Sequence, residues 1–329
     1  MKIAVFSARR FEREYLLDAF AHRHELVLLD TPLSLQSAPL AAGCEAVALF
    51  VNDDGSEAVV QCLHDLGVRF LLLRSAGFNH VAVGKATALG IRLARVPEYS
   101  PHAVAEHTVA LMLALNRKLV RAHNRVREMN FTLDGLVGFD MHGRTAGVMG
   151  LGKIGRLVAQ ILRGFGCRVL AYDLYPDAAW AAQFDVEFTD LDGIFRESDI
   201  LTLHTPLTDR TRHLINASTL GQMKRGVMLI NTSRGGLVNT ADVIDALKTG
   251  QIGYLGLDVY EEENGLFFEG HSEDILQDDH IARLMTFPNV LITSHQAFLT
   301  ETALRNIAET TAHNADCFER GGPCENELR

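Results

Sequence analysis

Apolar residues along the chain fall in short runs separated by stretches with helical spacing. Ile3–Phe6, Ala46–Phe50 and Phe70–Leu73 are compact apolar runs, the pattern of strands buried on both faces of a parallel sheet. Their alternation with helical patterns predicts right-handed crossovers and an α/β fold. Two prolines in Val96-Pro97-Glu98-Tyr99-Ser100-Pro101 interrupt the rhythm. Ser100 suits a helix N-cap and Pro101 the first helical position. The spacing then predicts one helix running to about Asn130. At its rise per residue that helix would span roughly 40 Å or more, enough to cross between domains. Ala103, Ala110 and Ala114 with Leu111 give it a small apolar face, suited either to a core or to a second copy of the chain.

A second α/β series begins at Arg144. Thr145–Met149, Arg168–Tyr172, Ile200–Leu203, Val227–Ile230, Gly253–Leu257 and Val290–Thr293 read as six strands, the number in a complete dinucleotide-binding sheet. After about Phe298 the pattern ends in one more helix, Glu301–Phe318, and a polar tail. A length of 329 residues agrees with two domains.

The composition is 47% hydrophobic and 22% charged, which is globular and excludes a disordered chain. A net charge of −10 argues against nucleic acid as the main partner. It leaves room for an anionic small substrate in a locally positive pocket. The first apolar run is too short for a signal peptide, and the apolar stretch Val104–Leu115 is interrupted by Glu106 and His107, so no membrane partner is expected. Five cysteines, Cys44, Cys62, Cys167, Cys317 and Cys324, form no CxxC pair. They argue against a disulfide framework or a thiolate zinc site and for a cytoplasmic protein. The acidic stretch Asn264–His280 contains His271 and His280 but reads as a surface loop, and no metal is expected.

The strongest local signal is Gly150-Leu151-Gly152-Lys153-Ile154-Gly155, placed between a strand and the apolar helix Leu157–Phe165. Gly150 permits the tight turn, Gly152 lets the backbone approach a pyrophosphate, and Gly155 lets the helix pack on the strand. Asp173 ends the next strand 18 residues after Gly155, where an acid meets ribose hydroxyls and repels a 2′-phosphate. NAD is therefore favoured over NADP. The first half has no such fingerprint: its first turn, Ser7-Ala8-Arg9-Arg10, contains no glycine.

Three further loops carry charge beyond predicted strand ends, where open α/β sheets bind ligands. Arg234 lies in Asn231-Thr232-Ser233-Arg234-Gly235-Gly236, the acids Glu261, Glu262 and Glu263 follow Asp258, and His295 follows Val290–Thr293. The combination suits hydride chemistry at a 2-oxo acid. An arginine fork binds the carboxylate and polarises the adjacent carbonyl. A histidine gives the carbonyl oxygen its proton, and a neighbouring carboxylate favours the imidazolium. The residues alone leave open which of the three glutamates is the partner.

In these motifs the chain resembles the D-2-hydroxyacid dehydrogenases, most of all their NAD-dependent, lactate-forming branch. The resemblance runs over nearly the full length: Phe50-Val51-Asn52-Asp53-Asp54-Gly55, Arg74-Ser75-Ala76-Gly77-Phe78-Asn79, Val96-Pro97-Glu98-Tyr99, the glycine motif, Thr232-Ser233-Arg234-Gly235, Asp258-Val259-Tyr260-Glu261 and Ser294-His295-Gln296-Ala297-Phe298-Leu299-Thr300. It implies two Rossmann-like domains with parallel sheets. Residues 1–100 and 299–329 would form a substrate domain, and 101–298 an inserted NAD-binding domain. It implies Arg234 as substrate-binding arginine, His295 as acid/base and Glu263 as its partner. For substrate it implicates the Ser75, Ala76 and Gly77 backbone, Tyr99 at the carboxylate and Phe298 as a limit on side-chain size. For NAD it implicates Gly150, Gly152, Lys153, Ile154, Gly155, Asp173, Thr205, Pro206, Thr211, Thr232, Ser233, Arg234 and Asp258. Relatives often place asparagine where this chain has Thr211. The implied reaction is reversible reduction of pyruvate to D-lactate, in a homodimer or homotetramer. A bulkier 2-oxo acid, or a non-catalytic NAD(H)-sensing role on the same fold, stays open at this stage.

Overall fold

The computed structural model describes residues 1–263, 265–268 and 270–328. The chain forms two compact units, Met1–Ser100 with Phe298–Arg329, and Pro101–Ala297. Phe298, left with the inserted segment in the sequence reading, belongs to the first unit.

In the first unit β1 (Lys2–Val5), β2 (Glu25–Leu28), β3 (Ala46–Leu49), β4 (Phe70–Leu73) and β5 (Arg92–Arg95) pair in parallel. The short C-terminal strand Glu327–Leu328 joins the edge antiparallel to β5. The order from that edge is C-terminal strand, β5, β4, β3, β1, β2. β3 is buried along its whole length and supplies Val47 and Leu49 to one core layer and Ala46 and Ala48 to the other. That two-sided burial explains the unbroken apolar runs. The last helix, Glu301–Glu319, packs on the helix Arg13–Phe20 and over β4 and β5, placing Ala308, Ala312, Ala315 and Phe318 in the second layer.

The second unit carries seven parallel strands among the described residues: β6 (Thr145–Met149), β7 (Arg168–Tyr172), β8 (Val186–Phe188), β9 (Ile200–Leu203), β10 (Val227–Asn231), β11 (Ile252–Leu257) and β12 (Val290–Ile292). Their order is β12-β11-β10-β9-β6-β7-β8. The unforeseen seventh strand is β8, three edge residues with an exposed glutamate at the centre, too short to produce a hydrophobic run.

The helix expected over 101–130 breaks. It ends as Pro101–Asn116, and a second helix, Leu119–Arg127, starts after Lys118, whose φ of 50° is left-handed. The break coincides with a bond exchange at the end of the first helix. The Asn116 amide donates to the Phe139 carbonyl at 2.7 Å and accepts from the Phe139 N–H at 2.8 Å, drawing an incoming loop against the helix end. The first helix is a core element of its unit, packed on β10, β11 and the helix Lys153–Gly164. Gly256 makes the close approach possible, since a Cβ there would lie 3.1 Å from Leu115. Ala103 and Leu111 are buried in it, but Ala110 is exposed and Ala114 half-buried, so the small-residue face is narrower than the sequence spacing implied. Along the second helix Leu119, Val120 and Val126 stand about half exposed. Among the described residues no helix is long and apolar enough to cross a membrane.

Replacing Asn116 by alanine strands both polar groups of Phe139. The expected loss is roughly 1–3 kcal/mol in denaturant unfolding. An unchanged midpoint would show that the exchange contributes nothing to stability.

Candidate active site

One row of paired residues crosses the second sheet. Tyr172, Met149, Leu203, Asn231, Leu257 and Ile292 stand side by side on β7, β6, β9, β10, β11 and β12. The candidate loops begin immediately beyond that row, at Asp173, Gly150, His204, Thr232, Asp258 and Thr293. The register therefore delivers all of them to the carboxyl edge of one sheet.

Gly150 turns with φ +91°, and a Cβ there would lie 2.7 Å from the His204 carbonyl oxygen. A Cβ on Gly155 would lie 1.9 Å from the Gly150 oxygen, so helix and strand approach too closely for any side chain. Gly152 caps the helix Lys153–Gly164, and the space its Cβ would enter is open. A free surface at a helix N-terminus, beside a turn that only glycine can make, fits an anion such as a pyrophosphate. The Asp173 carboxylate accepts from Leu151 N–H at 2.6 Å and Tyr175 N–H at 2.8 Å, which fixes it beside the glycine loop. Thr205 has a buried hydroxyl oxygen with no hydrogen-bond partner, an atom prepared for a polar ligand. Its carbonyl accepts from Ser233 Oγ at 2.7 Å. The Thr211 hydroxyl, by contrast, serves its own loop, donating to the Pro206 carbonyl at 2.7 Å and accepting from Thr208 N–H at 2.8 Å.

Arg234 leads the short 3₁₀ turn Gly235–Leu237 and donates to the Ser233 carbonyl at 2.7 Å. Asn231, fully buried at the end of β10, shapes this turn by accepting from Ser233 N–H at 3.0 Å and donating to the Arg234 carbonyl at 2.9 Å. Gly235 is forced, because a Cβ would sit 2.1 Å from the Tyr260 backbone. The contact ties the arginine turn to the acidic turn. Thr232 adds a hydroxyl pairing with Thr108 at 2.8 Å.

Glu263 and Glu261 have different partners. Glu263 Oε1 lies 2.8 Å from His295 Nδ1, while its Oε2 accepts from Tyr260 N–H at 3.2 Å. Glu261 pairs with His213 and accepts from the Thr240 hydroxyl at 3.2 Å. Burial opposes its ionisation, but His213 and the Thr240 backbone outweigh that and hold its carboxyl below the usual range. His295 itself has a φ of 49°, left-handed for a residue with a side chain.

Asp258 explains how that backbone is held. Its carboxylate is fully buried and accepts from Thr293 Oγ at 2.6 Å, Gln296 N–H at 2.9 Å and Ala297 N–H at 2.9 Å. Its carbonyl accepts from His295 N–H at 2.7 Å. His107, from the core helix, lies 3.4 Å from the same carboxylate. Burial would raise the carboxyl pKa, but His107, Thr293, the Ala297 N–H and the nearby His295 hold it below the usual carboxylate range.

In the first unit, the Ser75-Ala76-Gly77 turn follows β4. Ser75 Oγ donates to the Gly77 carbonyl at 2.7 Å, and Arg95 donates to the Ala76 carbonyl at 2.8 Å. Phe298 is buried, its ring 6.2 Å from Tyr99, 6.3 Å from Phe11 and 6.5 Å from Phe50. It therefore has a packing role in an aromatic cluster that the sequence did not reveal.

Residues 109–297 match the family model described as the NAD-binding domain of D-isomer-specific 2-hydroxyacid dehydrogenases. The chain is 50% identical over 329 residues to the D-lactate dehydrogenase of Escherichia coli (strain K12), covering 100% of both chains. It superposes on the pyruvate reductase of Chlamydomonas reinhardtii with a TM-score of 0.93 at 43% identity, covering 99% of this chain and 98% of that one. It also superposes on the D-lactate dehydrogenase of Lactobacillus jensenii, solved with NAD+, with a TM-score of 0.82 at 33% identity and 100% of both chains covered. The chain belongs to the D-isomer-specific 2-hydroxyacid dehydrogenase family.

Sequence reasoning about this family member missed Asn231, Thr108 and His107, whose roles depend on contacts between distant segments. It also missed Asn52, whose buried side-chain nitrogen has no hydrogen-bond partner, and Arg9, whose Nε is in the same condition. Both follow strands of the first sheet. Asn52 lay within a quoted motif, but nothing local marked its amide as unsatisfied.

Asp258→Asn replaces one of the two acceptor oxygens with an NH2 group, which then faces either the Gln296 N–H and Thr293 hydroxyl or the Ala297 N–H. The expected cost is roughly 1–3 kcal/mol in thermal unfolding at neutral pH. The lowered carboxyl pKa stabilises the fold fully above the ordinary Asp value of about 3.9. That contribution is lost as the pH falls through the folded-state value. Acid sensitivity in this range should therefore be smaller in Asp258→Asn than in the native chain, and identical acid profiles would contradict it.

Proposed function

We propose that this chain is an NAD-dependent D-lactate dehydrogenase, interconverting pyruvate and D-lactate by reversible hydride transfer. The observation that carries the reading is the 2.8 Å contact between Glu263 and His295, on loops that follow adjacent strands of the sheet bearing the glycine turn. Half of the residues are shared, end to end, with a D-lactate dehydrogenase.

NAD would be held by the Gly150–Gly155 loop with Lys153 and Ile154, by Asp173 toward the ribose, and by Thr205, Pro206, Thr211, the Thr232–Arg234 turn and Asp258. Bound NADH supplies a hydride to the substrate carbonyl carbon. Arg234 receives the 2-oxo acid's carboxylate and draws electron density from the adjacent carbonyl. His295, with Nδ1 turned to Glu263, presents Nε2 to the carbonyl oxygen and gives it a proton. Glu263 fixes the ring's orientation through its contact with Nδ1. In the oxidative direction the same nitrogen, now unprotonated, takes the hydroxyl proton. The first unit's Ser75–Gly77 loop and Tyr99 are proposed contacts of the 2-oxo acid, with Phe298 supporting a small side-chain site through its aromatic cluster. A homo-oligomer, dimer or tetramer, is part of the reading, and the exposed apolar side chains Leu119, Val120, Val126, Met129, Phe131 and Leu133, interspersed with charged residues over 119–133, are its candidate contacts.

Pyruvate, 2-oxobutyrate and 2-oxoisocaproate assayed with NADH and NADPH test the reading directly. Pyruvate with NADH should give the highest kcat/KM, and a preference for 2-oxoisocaproate would overturn the lactate assignment. His295→Ala should lower turnover by about 10²–10⁴-fold. Glu263→Gln should lower kcat in both directions, because Nδ1 loses the carboxylate that orients the ring. An unchanged kcat would remove Glu263 from this role. Asp173→Asn should raise NADPH use relative to NADH, since the charge facing a 2′-phosphate is gone. An unchanged ratio would leave Asp173 as a brace for Leu151 and Tyr175 alone.

A further inference from the structure

Among the described residues a group of metal-competent side chains lies at the carboxyl end of the first unit, and none of them enters the chemistry above. His313 and Cys317 are one turn apart on the helix Glu301–Glu319 and so share a face. After Arg320 the chain reverses through Gly321, with φ +66°, and Gly322 N–H donates to the Cys317 carbonyl at 3.1 Å. The reversal brings Glu325 back to the helix. Glu325 Oε1 lies 2.9 Å from His313 Nε2, and Cys317 Sγ lies 3.5 Å from the same nitrogen. The three ligand atoms all fall within 4.8 Å of one another.

The nitrogen–oxygen and nitrogen–sulfur separations are near those of a tetrahedral ion's ligands. Zinc bond lengths of about 2.0–2.3 Å place neighbouring nitrogen, oxygen and sulfur vertices roughly 3.4–3.6 Å apart. The sulfur–nitrogen distance already fits. The carboxylate needs to withdraw by about half an ångström. An imidazole, a thiolate and a carboxylate disfavour Mg2+ and Ca2+, which take oxygen ligands, and suit Zn2+. The neighbouring Cys324 has a different assignment. Its buried thiol donates to Asn314 Oδ1 at 3.3 Å, leaving Cys317 as the sulfur ligand.

We propose that His313, Cys317 and Glu325 form a Zn2+ site, completed by water, that clips the last helix to the C-terminal strand. The clip would reinforce contacts already centred on Asn314. Asn314 donates to the Arg95 carbonyl at 3.0 Å and accepts from Asn326 Nδ2 at 2.9 Å, and Arg95 N–H donates to the Asn326 carbonyl at 3.1 Å. Without the ion, His313 and Glu325 are a half-exposed surface pair that contributes little. With it, the reversal and the edge strand are fixed together.

The test uses the full chain, stripped with a chelator and kept under a thiol-free reductant. Zn2+ binding is measured by competition with a chromophoric chelator, and Co2+ is used as a spectroscopic probe. The proposal expects one site per chain with a near-ultraviolet thiolate-to-cobalt band and a rise in Tm on adding Zn2+. His313→Ala and Cys317→Ser should each weaken that site at least tenfold and abolish the Tm rise, whereas Cys62→Ser should leave both intact. A Co2+ adduct without the thiolate band would overturn the proposal. So would Zn2+ affinity unchanged in His313→Ala and Cys317→Ser, since the ion would then be bound elsewhere.

Discussion

The fully buried carboxylate of Asp258 organises the loop on which the candidate chemistry rests. It collects a hydroxyl hydrogen and two backbone N–H groups from residues 293–297, and His107 flanks it from the core helix. Those bonds hold His295 in a left-handed conformation that a β-carbon disfavours. With the backbone so fixed, Nδ1 meets Glu263 without further adjustment of the loop. A buried charge is costly, and here the cost is offset by those three donors and by His107. The result is a histidine whose orientation is set before any ligand arrives, which is what general acid–base transfer requires.

The sheet register supplies the second constraint. Because Met149, Leu203, Asn231, Leu257 and Ile292 are in line, the glycine turn, the arginine turn, the acidic turn and the histidine loop emerge from one edge. Backbone approaches then knit neighbouring loops together: Gly150 against His204, and Gly235 against Tyr260. The first unit has a parallel sheet too, but a different interior. Arg74 is buried there, bonded to Glu12 and to the carbonyls of Phe6, Ser7 and Ala48, and its guanidinium lies over Phe50. A charged side chain used in this way fixes the loops after β1, β3 and β4 relative to one another. The same loops carry the unpartnered polar atoms of Arg9 and Asn52.

What could be read from the sequence was what depends on local periodicity and on backbone freedom. Strands buried on both faces produce continuous apolar runs, and a turn that excludes side chains demands glycine, so β3, β4, β6 and the Gly150–Gly155 loop were legible. The helix break at Lys118 was not, because lysine carries no signal for a left-handed backbone and the cause lies in Asn116 binding Phe139, distant in sequence. The choice among Glu261, Glu262 and Glu263 was likewise invisible locally, since three identical side chains differ only in where the turn aims them. Geometry gives Glu263 to His295 and Glu261 to His213. The aromatic cluster of Phe298 with Phe11, Phe50 and Tyr99 was hidden as well, because its rings come from segments distant in sequence.

In the proposed reaction a hydride moves directly to the carbonyl carbon of a 2-oxo acid while His295 supplies the proton. Reduction of pyruvate with NADH deuterated at the transferable position of nicotinamide C4, followed by NMR and chiral separation of the product, tests it most directly. The account predicts D-lactate with one deuterium on C2 and an unlabelled hydroxyl. Lactate without the label on C2, or the L-enantiomer, would contradict it.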